Sequence, residues 1–282
     1  MVHIFTDSTS CLSPQAGQSQ GIVVVPQTIS FSGTVYREWL DLDPASFIAR
    51  LSAASEIPIS APAPISEFAA ALRPLAESGE PVICLAPSSL VSRTYEIECE
   101  AARQFPQADI RVLDTFTISG PMATLALLAA GWARAGENAD EIEKRLRAMI
   151  PLGRVFFMVP TLEYLAKSKR IGGAEALLGN LLQLKPILTL KDGQVDRFDT
   201  ARTYRHALIR LQELVLEQVT RDSNNHITVM HAGDLAQAQA LASTLETVLE
   251  LRKIPIYDIP PTVASNVGPG TLGVSFFVEP YV

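Results

Sequence analysis

The sequence predicts an α/β protein of two domains: a parallel sheet with flanking helices over residues 1–153, then a mixed sheet with helices over residues 154–282. Three observations predict it. A chain of 282 residues that is 48% hydrophobic buries two cores of ordinary domain size more readily than one large core. Through the first half, short β-rich runs alternate with helical patterns, as in parallel strands joined by crossover helices. In the second half Asp192-Gly193 stands between two strand-like runs, a hairpin signal that a purely parallel sheet would not contain.

The first strand is read over residues 2–6, and further strands over 22–25, 82–85, 110–113 and 155–159, each rich in apolar residues and followed by a turn. Ile59-Ser60-Ala61-Pro62-Ala63-Pro64 reads as a linker before a helix that begins near Ser66, because proline fixes φ and favours extended backbone. The apolar stretch 121–133 falls short of the roughly 20 residues that span a bilayer and predicts a buried helix. Asn138 followed by Glu141 predicts a capped helix with Ile142, Leu146, Met149 and Ile150 on one face. Beyond residue 153 a charged helical segment is expected over 163–184, then hairpin strands over 187–190 and 194–200. Helices over 205–218 and 235–251 and strands over 226–230, 255–259 and 274–278 complete the chain.

A net charge of −7 leaves no basic excess to neutralise a phosphate backbone, so no nucleic acid partner is expected. Met1 leads straight into a strand, with no basic segment, long apolar run and cleavage site, which predicts an unexported, cytoplasmic chain without stable membrane insertion. Cys11, Cys84 and Cys99 are odd in number and form no CxxC pair, which fits a reducing compartment and disfavours a thiolate metal site. GxGxxG, GxxxxGK, HExxH and GxSxG patterns are missing, and His3, His206, His226 and His231 stand at no metal-ligand spacing. No catalytic residue, metal or cofactor is therefore predicted.

Three hydroxyl-rich loops follow predicted strands: Asp7-Ser8-Thr9-Ser10, residues 88–95, and residues 114–120. Any one of these serines or threonines is best read as a helix N-cap. Three such loops at one edge of a parallel sheet point instead to a site for an anionic or polar head group, since ligands bind at strand ends there. Asn266-Val267-Gly268-Pro269-Gly270-Thr271 reads as a tight turn. Lys167, Lys169 and Arg170, followed by Gly172-Gly173, form either a solvated helix end or, on an acidic protein, a docking patch for an acidic partner or a phosphate.

Taken in order, Asp7-Ser8-Thr9, Pro62 with Pro64, residues 88–95, 114–120 and 162–172, the run from Leu178-Gly179-Asn180 to Leu188, Asp192-Gly193, His231-Ala232 and Gly268-Pro269-Gly270 form a specific set. This ordered set resembles the DegV family of bacterial fatty-acid-binding proteins almost from end to end. The resemblance implies two α/β domains that enclose one fatty acid in a cleft, with the carboxylate at polar loops and the acyl chain in an apolar tunnel. It further implies a carrier in phospholipid metabolism, not an enzyme, that presents its cargo to a separate fatty acid kinase subunit for acyl phosphate formation.

The sequence departs from the family pattern at Ile59 and Ala63, where hydroxyl residues are usual, at Arg93 in place of glycine, and at Asn266 in place of histidine. Ser168 and Lys169 replace two glycines before Arg170. The expected ligand contacts are Ser60, Ser92, Arg93, Thr94, Ser119, Asn266 and Gly268, with Arg93 supplying a permanent cation for lost hydroxyls. Kinase docking is expected at Arg170 with Lys167 and Lys169. Three alternatives stay open: a carrier of a neutral or differently headed lipid, a regulatory protein with a degenerate lipid site, and a phosphotransferase that uses the hydroxyl-rich sheet edge.

Overall fold

The computed structural model describes residues 1–54, 56–177, 184–219 and 225–278. In chain order its first part contains β1 (His3–Asp7), α1 (Pro14–Ser19), β2 (Ile22–Val25), β3 (Thr28–Phe31), β4 (Thr34–Arg37), α2 (Pro44–Ala53), β5 (Ile59–Ala61) and α3 (Ile65–Glu77). There follow β6 (Val82–Ala86), α4 (Thr94–Ala102), β7 (Ile110–Asp114), α5 (Gly120–Arg134) and α6 (Ala139–Met149). The second part runs through β8 (Gly153–Met158), α7 (Glu163–Lys167), β9 (Lys185–Lys191), β10 (Gln194–Ala201), α8 (Tyr204–Leu216), β11 (Thr228–His231), α9 (Leu235–Leu249), β12 (Ile256–Asp258), α10 (Pro261–Val267) and β13 (Leu272–Phe277).

The first sheet is parallel throughout, in the order β2-β1-β6-β7. Every residue of β6 is buried, as expected of a central strand covered on both faces. The second sheet runs β10-β9-β8-β13-β11-β12 and is antiparallel except where β11 meets β12. Asp192 and Gly193 make the turn between β9 and β10 with φ of 49° and 82°, the pair of left-handed values that a two-residue hairpin requires. The expected α/β architecture with a parallel and a mixed sheet is therefore present.

Two stretches differ from the sequence reading. Residues 28–61 contribute a third, small antiparallel sheet, β4-β3-β5, in which the stretch read as a linker supplies the edge strand β5. That strand is three residues long and leaves Ile59 72% exposed, so its apolar alternation carries little signal. The helix expected over 163–184 ends at Lys167, because Lys169 and Gly172 adopt left-handed φ of 59° and 53°; a short 3-10 segment, Gly172–Leu177, follows. Leu178 to Gln183, part of the strongest family-like run, lie outside the described residues.

Helix α5 joins the two sheets. Its alanines pack in one core with Ile4, Ile83 and Leu113 of the first sheet and with Phe277 of the second. At its start Gly120 lies so close to Thr228, Met230 and Ser275 that a Cβ there would overlap their side chains. The helix is thus held between the sheets, and the space beside it is where residues from both meet.

Candidate functional site

Between the sheets lies a cavity of about 110 Å³, far more than a single water needs. Val155, Phe157, Leu190, Val195, Met230 and Ile259 line it from the second sheet and its flank, and Leu165, Val263 and Val267 from α7 and α10. These residues make most of the wall apolar, suited to a hydrocarbon chain. At one side the lining turns polar, with Gln27, Ser60, Ser92, Thr94, Arg170, Thr262 and Asn266.

The polar groups form two connected lines. In the first, Gln27 donates through Nε2 to Thr94 Oγ1 at 3.2 Å and accepts from the Ala63 amide at 2.7 Å, while the Ser92 and Thr94 hydroxyls lie 2.8 Å apart. In the second, Asn266 donates to the Thr262 carbonyl at 2.7 Å and to Ser60 Oγ at 3.3 Å, and its Oδ1 accepts from Arg170 Nη1 at 3.2 Å. Arg170 also donates to the Val91 carbonyl at 3.0 Å, one residue from Ser92, which closes the two lines around the cavity end.

Arg170 is the cation of this site. All its hydrogen bonds run to neutral oxygens, the third being the Ser168 carbonyl at 3.1 Å, and among the described residues no carboxylate pairs with it. Burial lowers its pKa, because partial dehydration disfavours the charged form. A guanidinium so placed attracts an anion, and its planar fork suits a carboxylate.

Of the expected ligand contacts, Ser60, Ser92, Thr94, Ser119 and Asn266 all line the cavity. Arg93 does not. It stands at the start of α4 with its side chain 79% exposed beside Glu96 at 3.5 Å, because the backbone that turns Ser92 and Thr94 inward turns the residue between them to solvent. Gly268 does not line the cavity either; with φ of 86° it ends α10, and a Cβ there would lie 2.5 Å from the Tyr164 ring. Arg170, expected as a docking residue, reaches the cavity, while Lys167 and Lys169 are exposed.

The hydroxyl loops divide between the two roles weighed for them. Asp7 Oδ1 accepts from the Thr9 amide at 2.7 Å and Asp114 Oδ1 from the Phe116 amide at 2.9 Å, both turn-stabilising bonds. Ser88 donates to the Gly193 carbonyl at 2.7 Å, tying the first sheet's loop to the hairpin of the second. Thr9 of the first hydroxyl loop and Thr271 of the C-terminal turn also reach the cavity, as do Gln27 and Thr262, which no local sequence pattern marks.

Acidic groups lie buried behind the polar end. Burial pushes Asp7 up to about 6 and Glu38 up to about 7, in each case against hydrogen bonds that lower it. Glu98, fully buried with neither oxygen hydrogen-bonded, is raised well above the usual carboxylate range by burial and by Asp7. Among the described residues no group of three His, Cys, Asp or Glu is placed to hold a metal ion, and no helix is long and apolar enough to cross a membrane.

Fold and site together define an α/β protein with an apolar cavity between its parallel and mixed sheets that ends in hydroxyls and one arginine. The family model described as "Uncharacterised protein, DegV family" matches residues 1–279, and the chain belongs to the DegV family. It is 30% identical over 282 residues to a DegV domain-containing protein of Clostridium perfringens, covering 99% of each chain. With one of Streptomyces coelicolor it shares 32% identity over 275 residues, 97% of each. Among solved structures it is similar to a DegV family protein from Thermus thermophilus described by its fatty acid binding, with 28% identity, a TM-score of 0.90 and 99% of each chain covered. It is also similar to DegV of Bacillus subtilis, described as a fatty acid binding protein, with 26% identity, a TM-score of 0.86 and 99% of each chain covered.

Proposed function

We propose that the protein is a cytoplasmic carrier that binds one long-chain fatty acid between domains 1–153 and 154–282 and does not transform it. The observation that carries this reading is the Arg170 guanidinium, partly dehydrated and facing no carboxylate among the described residues, at the polar end of an apolar cavity. A fatty acid carboxylate supplies the missing counter-charge, and Ser60, Ser92, Thr94 and Asn266 offer its remaining hydrogen bonds. Arg170 thereby takes the part the sequence assigned to Arg93. The acyl chain contributes about 0.8 kcal/mol for each buried methylene, on the order of 10 kcal/mol for a long chain before ordering costs. The fatty acid binding described for the Thermus thermophilus and Bacillus subtilis relatives supports the same reading.

The bound acid is then presented to a separate fatty acid kinase subunit. Lys167 and Lys169, exposed beside Arg170, are the proposed docking cations. Native mass spectrometry of the protein as purified tests the cargo: the mass of a free fatty acid is expected, and a neutral lipid, or an empty protein that refuses fatty acids, overturns the reading. Charge reversal at Lys167 and Lys169 is expected to slow acyl phosphate formation by a fatty acid kinase at least fivefold with fatty acid affinity intact; unchanged transfer removes the docking role.

A further inference from the structure

Glu38 lies outside the cavity wall, is fully buried, and meets no basic side chain among the described residues. Its carboxylate nevertheless has three donors. Oε2 accepts from both the amide and the hydroxyl of Thr262, each at 2.8 Å, and Oε1 accepts from the Ser8 hydroxyl. Ser8 Oγ in turn accepts from the Gln27 amide at 2.8 Å, so its proton is directed to Glu38. The residue is aimed inward by its own backbone: its amide donates to the Gln27 carbonyl at 2.9 Å, and Trp39 turns the chain with φ of 68°.

Both polar lines of the site start from these contacts. On one side Glu38 and Ser8 hold Gln27, which holds Thr94. On the other, Thr262 is held by its amide and hydroxyl at once, which fixes the rotation of the first turn of α10. One turn later Asn266 bonds back to the Thr262 carbonyl and accepts from Arg170. Helix α10 has Pro260 before it and Pro261 at its start, with no side-chain cap of its own, so Glu38 is what secures that turn from the other side of the cleft.

We infer that Glu38 is a positioning residue for head-group recognition: from the first lobe it clasps Thr262 and thereby sets where α10 presents Asn266 to Arg170 and to the ligand. Glutamate suits this place because in its ionised form one carboxylate accepts on both oxygens, whereas the protonated acid or an amide would turn a donor toward a donor on one side. The inference rests on the reading of the cavity as a fatty acid site, but the clasp itself exists in the empty protein, and the two can be tested apart.

The experiment measures affinity and dissociation rate for cis-parinarate, followed by its own fluorescence, in the full-length chain and in Glu38→Gln, Thr262→Val, Thr262→Ser and the Glu38→Gln/Thr262→Val pair. Hydrogen exchange of the α10 amides is followed in the same proteins without ligand. Glu38→Gln and Thr262→Val are each expected to weaken binding about tenfold, chiefly through faster release, while Thr262→Ser, which keeps the donor, stays within twofold. The double variant is expected to lose no more than the weaker single, because both changes open one clasp. Exchange in α10 is expected to quicken in Glu38→Gln while β1 and β6 stay protected. Wild-type affinity in Glu38→Gln, multiplied losses in the double variant, or α10 exchange that does not change would each overturn the inference. Failure of the wild-type chain to bind cis-parinarate would count against the cargo, and exchange would still decide the clasp.

Discussion

Replacing Arg170 by glutamine removes one charge from the polar end of the cavity and shortens the side chain by two bonds, the amide nitrogen standing where Nε stands. In the native chain the guanidinium spends its bonds on the carbonyls of Val91 and Ser168 and on Asn266 Oδ1, at 3.0 to 3.2 Å, and none on an anion. The Val91 carbonyl, bonded by Nε, can still be met by an amide; a carboxylate ligand cannot be neutralised by one. A charge-assisted hydrogen bond is worth about 1.5 to 3 kcal/mol. Arg170 is only part buried, so solvent screening favours the lower half of that range. The expected loss of fatty acid affinity is therefore roughly ten- to fiftyfold. The assay compares a fatty acid with the alcohol of the same chain length, titrated against native protein and Arg170→Gln. Native protein is expected to prefer the acid and the variant to bind both about equally, since the chain contribution is common to the two. Retention of the acid preference in Arg170→Gln would refute the reasoning, and equal affinity for both in native protein would point to a neutral cargo.

Arg93→Ala is expected to leave fatty acid affinity within twofold in the same titration, because the side chain is 79% exposed and meets only Glu96. Gly120→Ala places a methyl against Thr228, Met230 and Ser275, and overpacking of this kind costs about 1 to 3 kcal/mol, to be read from denaturant midpoints. Asp7, Glu38 and Glu98 are held above their ordinary carboxylate values by burial, Glu38 reaching about 7 from 4.5. Each keeps its proton in the folded chain after the unfolded chain has released it. Their contribution is thus fully present below about pH 4 and is lost as pH rises through the folded values, on the order of 3 kcal/mol for Glu38 alone. Glu38→Gln, which carries no titrating proton, is expected to flatten the fall in unfolding free energy between pH 4.5 and 7, and an unchanged slope would show that Glu38 does not titrate there.

The parallel sheet was legible because β1, β2, β6 and β7 each stand as a short apolar-rich run closed by a turn, most clearly β6, which is buried on both faces. The small sheet was not. β3 and β4 have no clean buried face, β5 is three residues with an exposed isoleucine, and only their pairing makes them strands. In the site, Ser92, Thr94 and Ser119 could be picked out as hydroxyls in loops after predicted strands, whereas Ser60, in a stretch read as a linker, and Asn266, in a stretch read as a turn, were marked only by the family resemblance. Arg93 misled because it is flanked by two lining residues, and sequence adjacency says nothing of which way a helix-start side chain leaves. Gln27, Glu38 and Thr262 left no local mark: Thr262 and Glu38 are 224 residues apart, and their role exists only once both lobes have folded.

Helix α5 limits how the two sheets can move apart. Its small residues belong to a core shared by both sheets, and Gly120 is seated against the second sheet with no room to spare. Jaws that swing apart would have to tear this seam and wet it, at the expense of alanine contacts buried on both sides. If the cavity takes a fatty acid as proposed, entry and exit are expected to spare this seam and to run along the edges, where β5, the residues around Ser92 and α10 line the cavity. On the proposed reading the frame stays fixed, and the rate of exchange is expected to follow the few hydrogen bonds at the polar end of the cavity, not the stability of the whole.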